Sequence, residues 1–177
     1  MTAAERKALI TDAVQGTHGT WADLGAGEGA FSAALASLLG PGSRIYVVDR
    51  DVQALRAQDR AFGGDFADCP VVKVEGDFTA ALSLPPLDGI LMANSLHYQA
   101  DPCAVLSHVS RWLLPGGMLL IVEYDVTSGN PWVPYPVPAA RLPALAECAG
   151  LTGFRIVASV PSRFHRRMYA ATCRKRD

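Results

Sequence analysis

A single carboxylate precedes three glycines at alternate positions: Asp23-Leu24-Gly25-Ala26-Gly27-Glu28-Gly29. Glycines let the backbone turn sharply and let a ligand lie against bare main chain, where a Cβ would clash. A short apolar run (Thr20 to Leu24) leads in, and a helix-forming run (Ala30 to Leu39) leads out. The free N–H groups at the start of that helix then face the same spot. The pattern is the G-x-G-x-x-[G/A] of nucleotide-binding turns, and a glycine-rich turn without a ligand is the alternative it leaves open. Asp23 narrows the chemistry. At the loop mouth its charge repels the phosphates of a dinucleotide and attracts a ligand with cationic groups.

With Asp23, Gly25, Gly27 and Gly29 the chain matches [D/E]-x-G-x-G-x-G and resembles the class I S-adenosylmethionine (SAM) methyltransferases. Two later features carry the same resemblance. A helix from Asp101 to about Leu114 is followed by Leu114-Pro115-Gly116-Gly117 and an apolar strand, Met118 to Tyr124. The chain then closes with two strands, Phe154 to Val160 and Arg167 to Thr172, joined by a link too short for a parallel crossover.

The resemblance implies SAM as cofactor and S-adenosylhomocysteine as product. Asp23 would serve the methionine end, and Asn94 would lie near the sulfonium. Asp49 ends the second β-rich run, about 20 positions beyond the loop, where a carboxylate can accept from both hydroxyls of a ribose. Arg50 would flank the adenine. Asp77 would accept from the adenine amino group, with Phe78 on the ring face. Asp77 also suits the cap of a Thr79–Leu82 turn, and one residue can do both. Leu24, Gly25, Ala26, Gly27 and Gly76 complete the expected cofactor contacts.

The acceptor side is less sharply written. His97 follows the fourth strand, where acceptor and methyl donor meet in the family, and is the candidate general base. The alternative is that it packs against the adenosyl group or the next helix. Tyr98 and Tyr124 are further substrate candidates. His18, in the loop before the first strand, is expected near the ligand end, or else simply solvated. Asp125 to Pro138 has loop composition, with four prolines in Asn130-Pro131-Trp132-Val133-Pro134-Tyr135-Pro136-Val137-Pro138. It reads as a substrate-side wall presenting Trp132 and Tyr135, or as a plain connector. The N/D-P-P-Y/F motif of enzymes that methylate exocyclic or amide nitrogens is absent.

Strand and helix runs alternate five times before the closing hairpin. This predicts a doubly wound, Rossmann-like α/β sheet of seven strands in order 3-2-1-4-5-7-6, strand 7 antiparallel. A leading helix (Thr2 to Gln15) opens with a Thr2/Glu5 capping box. The 177 residues suit one domain, 1–177, in which 1–19 form the leading helix and loop.

Half the residues are hydrophobic, 19% are charged and the net charge is −1, so no global field favours nucleic acid or an anionic membrane. Basic residues gather late, at Arg163, Arg166, Arg167, Arg174, Lys175 and Arg176, as a solvated strand or as a contact for an acidic substrate or RNA. Cys69, Cys103, Cys148 and Cys173 lack metal-ligand spacing and read as reduced thiols. No signal core or spanning apolar run is visible. These features predict a cytoplasmic, metal-free methyltransferase acting on a small molecule, monomeric or homodimeric. RNA or protein acceptors, a SAM-binding protein without chemistry, and a nicotinamide oxidoreductase are the alternatives.

Overall fold

In the computed structural model, which describes residues 1–62, 68–162 and 167–177, helices and strands alternate. The elements are α1 (Ala3–Val14), β1 (Thr20–Leu24), α2 (Ala30–Ala36), β2 (Arg44–Asp49), α3 (Val52–Phe62), β3 (Val71–Glu75), β4 (Leu87–Ala93), α4 (Pro102–Val109), β5 (Leu113–Tyr124), α5 (Leu142–Cys148), β6 (Leu151–Pro161) and β7 (Arg167–Lys175). The seven strands form one sheet in the order β3-β2-β1-β4-β5-β7-β6. β1 to β5 pair in parallel, and β7 runs antiparallel to both β5 and β6. The expected topology is the observed one. Parallel pairing brings the carboxyl ends of β1 to β5 to a single edge, where open α/β sheets bind ligands.

Both faces of the sheet are covered, which is why β1, β4 and β5 read as continuous apolar runs. On one face Trp21, Ile45, Val47, Leu91, Leu120 and Val122 meet α1, α2 and α3. On the other, Ala22, Leu24, Ile90, Met92, Leu119 and Ile121 meet α4 and α5. α1 starts with the capping box expected: the Thr2 hydroxyl accepts from the Glu5 N–H, and the Glu5 carboxylate accepts from the Thr2 N–H.

Element ends depart from the sequence reading in three places. The helix expected to reach Leu114 stops at Val109 and unwinds into a 3₁₀ turn, Ser110–Trp112. Leu114-Pro115-Gly116-Gly117 is a bulge inside β5, not a turn before it, since Leu113 already pairs with Leu87 and Met118 with Gly89. β6 and β7 also extend beyond the expected ends. Backbone pairing across strands, invisible to local propensity, sets all three. The tip residues Arg163, His165 and Arg166 lie outside the described residues, as do Gly63 and Gly64.

The cysteine expectation needs correction. Cys69 and Cys173 are free and buried, but Cys103 and Cys148 are joined in a disulfide, with Cα atoms 6.0 Å apart and a sequence separation of 45. The packing of α4 against α5 brings them together, and spacing along the chain carries no trace of it. A disulfide removes the cysteine argument for a reducing compartment.

Candidate functional site

Backbone hydrogen bonds assemble the carboxyl edge before any side chain acts. The N–H groups of Gly25 and Ala26 both donate to the Val48 carbonyl, at 2.9 and 3.0 Å. Gly76 N–H reaches Asp49 O at 3.0 Å, and Asn94 N–H reaches Val122 O at 2.8 Å. The residue after each strand is thus stitched to the end of a neighbouring strand. A cavity of about 390 Å³ opens over these junctions.

The glycine loop forms one wall. Gly25 has φ +76°, and a Cβ there would meet the Ser95 Cβ at 2.6 Å and the Phe78 ring at 3.2 Å. Gly27 has φ +54° with nothing within 4 Å of an added Cβ. Close approach demands glycine at Gly25; only conformation demands it at Gly27. Gly27 is held at both ends of its peptide unit. Its N–H donates to Asp49 Oδ2 at 2.7 Å, and its carbonyl accepts from Gln58 Nε2 at 2.7 Å. Gln58, on α3, is fully buried.

Asp23 lies behind this wall, not in it. It is 1% exposed, and its Oδ2 accepts from the Ser32 hydroxyl on α2 at 2.6 Å, while Oδ1 has no partner. Burial pushes its carboxyl up to about 7; the Ser32 hydrogen bond opposes this and the Asp49 charge adds to it. A raised folded-state value makes the stability contributed by the protonated acid full below the unfolded 3.8 and lost as pH rises through about 7. Urea unfolding of wild type is therefore expected to lose stability over that range relative to Asp23→Asn. A difference that stays flat with pH rejects the buried-acid assignment.

Asp49, Arg50, Gly76, Asp77 and Phe78 form the adjoining wall. Asp77 Oδ1 accepts from both the N–H and the hydroxyl of Thr79, at 2.8 and 2.7 Å, so the turn-capping reading is realised. Those two bonds, with a smaller contribution from Arg50, hold its carboxyl below the usual carboxylate range. Phe78 is 8% exposed, its ring shared between core and cavity.

Ala93, Asn94, Ser95, Tyr98 and Gln99 close the third side. Asn94 is the only non-glycine residue with positive φ (55°) among the described residues, a strained conformation of the kind that gathers at functional sites. Its Oδ1 and the Ser95 hydroxyl are buried without hydrogen-bond partners. Unmet polar atoms at a cavity wall are acceptors and donors in waiting.

His97 is 2% exposed and does not line the cavity. Its Nδ1 is hydrogen-bonded to Glu123 Oε2, and its ring lies 4.4 Å from Tyr98 and 6.2 Å from Tyr124, centroid to centroid. Glu123 Oε1 also accepts from the N–H groups of Leu96 and His97, both at 3.1 Å. One buried carboxylate thus gathers the whole 3₁₀ turn Leu96–Tyr98. Sequence reading passed over Glu123, although an acid ending the apolar run Met118 to Val122 was a signal of a buried, fully bonded group.

The aromatic segment docks beside this turn. Tyr135 N–H donates to the His97 carbonyl at 2.9 Å, while buried Val133 and Val137 anchor the chain on either side. Trp132 is 73% exposed, in a turn whose Asn130 carboxamide accepts from the Trp132 and Val133 N–H groups. Tyr124 is half-buried.

For His18 the structure overturns the expected place near the ligand end and leaves the solvated alternative, since the residue is exposed. It stands before β1, at the amino edge of the sheet, with its Nδ1 3.4 Å from the Pro41 carbonyl and its ring filling the space beside Gly40. It is remote from the cavity because β1 separates them.

The sequence model of a methyltransferase-domain family matches residues 22–119. The ribosomal RNA small subunit methyltransferase H of Xylella fastidiosa (strain 9a5c) is 38% identical over 90 residues, 47% of this chain. The match spans only 28% of that protein's length. Among solved structures, the YcgJ protein of Bacillus subtilis superposes with a TM-score of 0.74 at 13% identity, over 98% of this chain and 99% of its own. The phosphoethanolamine N-methyltransferase 2 of Haemonchus contortus, crystallised with phosphomonomethylethanolamine and S-adenosylhomocysteine, gives 0.78 at 16% identity, over 98% of this chain and 53% of its own.

Proposed function

The chain belongs to the methyltransferase-domain family, and from that premise we propose that it binds SAM in the cavity and methylates a small molecule. The observation that carries the cofactor reading is the composition of the walls. Bare glycine backbone adjoins two carboxylates, Asp49 and Asp77, in a cavity whose one cationic lining residue among the described residues is Arg50. Phosphates would be repelled there, whereas a ribose diol, an adenine amino group and a cationic amino acid end find acceptors. The unpartnered Asn94 Oδ1 and Ser95 hydroxyl, with Asp23 Oδ1 behind them, fit the same ligand.

On this reading Asp49 takes the ribose hydroxyls. Asp77 turns its Oδ2 to the adenine amino group, since Oδ1 is committed to Thr79. Phe78 and Arg50 flank the purine. Gly25, Ala26, Gly27 and Gly76 shape the wall with Leu24 buried behind it, Asn94 meets the sulfonium side, and Asp23 offers its unpartnered Oδ1 from behind the glycine loop. SAM, when bound, supplies a methyl group on a sulfonium whose departure leaves a neutral thioether. The protein's task is then alignment and exclusion of water, which can supply much of the rate. His97 acts as a positioning residue. With its Nδ1 bound to Glu123, it fixes Tyr98 and the 94–99 turn that bounds the acceptor side.

An RNA acceptor is the second reading, favoured by the partial likeness to a ribosomal RNA methyltransferase. The late basic residues support it poorly. Arg174 donates to the Gly116 carbonyl and Lys175 to the Leu113 carbonyl, both where β5 begins, away from the cavity edge. Calorimetric titration with SAM, S-adenosylhomocysteine and NAD tests the cofactor. Micromolar binding of the first two is expected, and binding of NAD or of none rejects the proposal. Radiolabelled methyl transfer then separates acceptors: RNA methylation would weaken steeply with salt, and small neutral acceptors would not. Cofactor binding without transfer to any class would leave a binding protein.

A further inference from the structure

Three aromatic side chains are exposed among the described residues: Tyr98 at 53%, Trp132 at 73% and Tyr135 at 45%. All three belong to the two segments on the acceptor side of the carboxyl edge. Tyr98 lines the cavity, and Tyr135 sits against the next backbone position through its bond to the His97 carbonyl. Trp132 is three residues away in the same anchored segment. Leaving large rings in water is costly unless something covers them, and clustering at one edge marks a binding surface. Backbone anchoring by Val133, Val137 and Asn130 keeps these rings presented rather than collapsed.

The same two segments are also without formal charge. Residues 94–99 and 130–138 contain no Asp, Glu, Lys or Arg, in a chain that is 19% charged. Within them His97 is buried on Glu123. Neither segment itself supplies an ammonium or guanidinium for a phosphate or carboxylate, or a carboxylate for an amine. Glu123 is buried and already engaged by the Leu96 and His97 N–H groups and by His97 Nδ1.

We propose that the acceptor is an uncharged, flat aromatic or heteroaromatic molecule, seated between Tyr98 and the Trp132–Tyr135 segment. This rests on the methyltransferase reading and narrows it to one substrate class. Flat rings stack on exposed Trp and Tyr faces, and polar substituents at one end reach the cavity where Ser95 and Asn94 have unmet hydrogen-bonding atoms.

The test uses the intact protein and three probes of matched size: 2-naphthol, its saturated analogue decahydro-2-naphthol, and 2-naphthyl phosphate. Calorimetry is expected to give 2-naphthol about tenfold tighter binding than either comparison probe. Trp132→Ala and Tyr135→Ala are each expected to weaken it several-fold, and binding is expected to shift the Trp132 indole N–H signal in NMR spectra. Equal affinity for the saturated analogue, preference for the phosphate, or indifference to both substitutions overturns the proposal. Self-association abolished by Trp132→Ala also overturns it, assigning the aromatic surface to a second copy of the chain. A parallel SAM titration keeps the two readings apart. If SAM binds and 2-naphthol does not, only the acceptor class fails; if SAM also fails to bind, the methyltransferase reading falls with it.

Discussion

Asp49→Ala is expected to weaken SAM binding by about a hundredfold or more while leaving the protein folded. Both carboxylate oxygens already work on the backbone: Oδ2 holds the Gly27 N–H at 2.7 Å and Oδ1 the Asp51 N–H at 2.9 Å. On the proposed reading the remaining lone pairs take the ribose hydroxyls. Each charge-assisted bond lost is worth roughly 1.5–3 kcal/mol, and two of them exceed the ~2.7 kcal/mol of a hundredfold change. Alanine removes both the ribose contacts and the anchor of the glycine loop that shapes the adjoining wall. Stability changes far less, since Asp49 ends its strand half-exposed and the backbone pairing of β2 persists. Asp49→Asn is the informative companion. Its amide oxygen can still hold Gly27, but its NH₂ faces the Asp51 N–H, so an intermediate affinity is expected. Unchanged calorimetric affinity in the alanine variant would sink the ribose assignment.

The residues that sequence alone placed well have a common character: their geometry follows from their own neighbours. Gly25 and Gly27 sit where a strand must turn, and Asp49, Gly76, Asp77 and Asn94 directly follow or end strands. Parallel pairing then brings such positions to one edge automatically. His18 shows the converse. A residue before a parallel strand and one after it sit at opposite edges, and at about 3.3 Å per residue even a short strand separates them widely. Gln58 illustrates what no local pattern reveals, for it reaches Gly27 across 31 residues. The Cys103–Cys148 pairing likewise depends on how α4 and α5 lie against the sheet. His97 was singled out by position, but exposure, which decides between proton transfer and positioning, is a tertiary property. Glu123 sets that exposure.

Glu123→Ala is expected to be the most destabilising of the changes considered, at about 3–5 kcal/mol. Glu123, Leu96 and His97 are all at most 2% exposed, so alanine strands three donors where water does not reach: two backbone N–H groups and one imidazole nitrogen. Each buried group left unpaired costs about 1–3 kcal/mol. For a chain of this size that corresponds to a fall in melting temperature of about 10 °C. The loss would also reach the site, because the turn carries Asn94, Ser95, Tyr98 and Gln99 into the cavity wall. Glu123→Gln separates charge from connectivity. Its amide oxygen can accept the two backbone N–H groups, and its NH₂ can donate to His97 Nδ1 once the imidazole proton moves to the other nitrogen. A loss of only about 1–2 kcal/mol is therefore expected for glutamine, with SAM affinity largely restored. Urea unfolding and SAM titration of the two variants read both effects. If alanine and glutamine are equally damaging, the negative charge itself holds the turn, through a protonated His97. If neither destabilises, the apolar packing of Leu96 fixes the turn, and Glu123 has no hold on the acceptor wall.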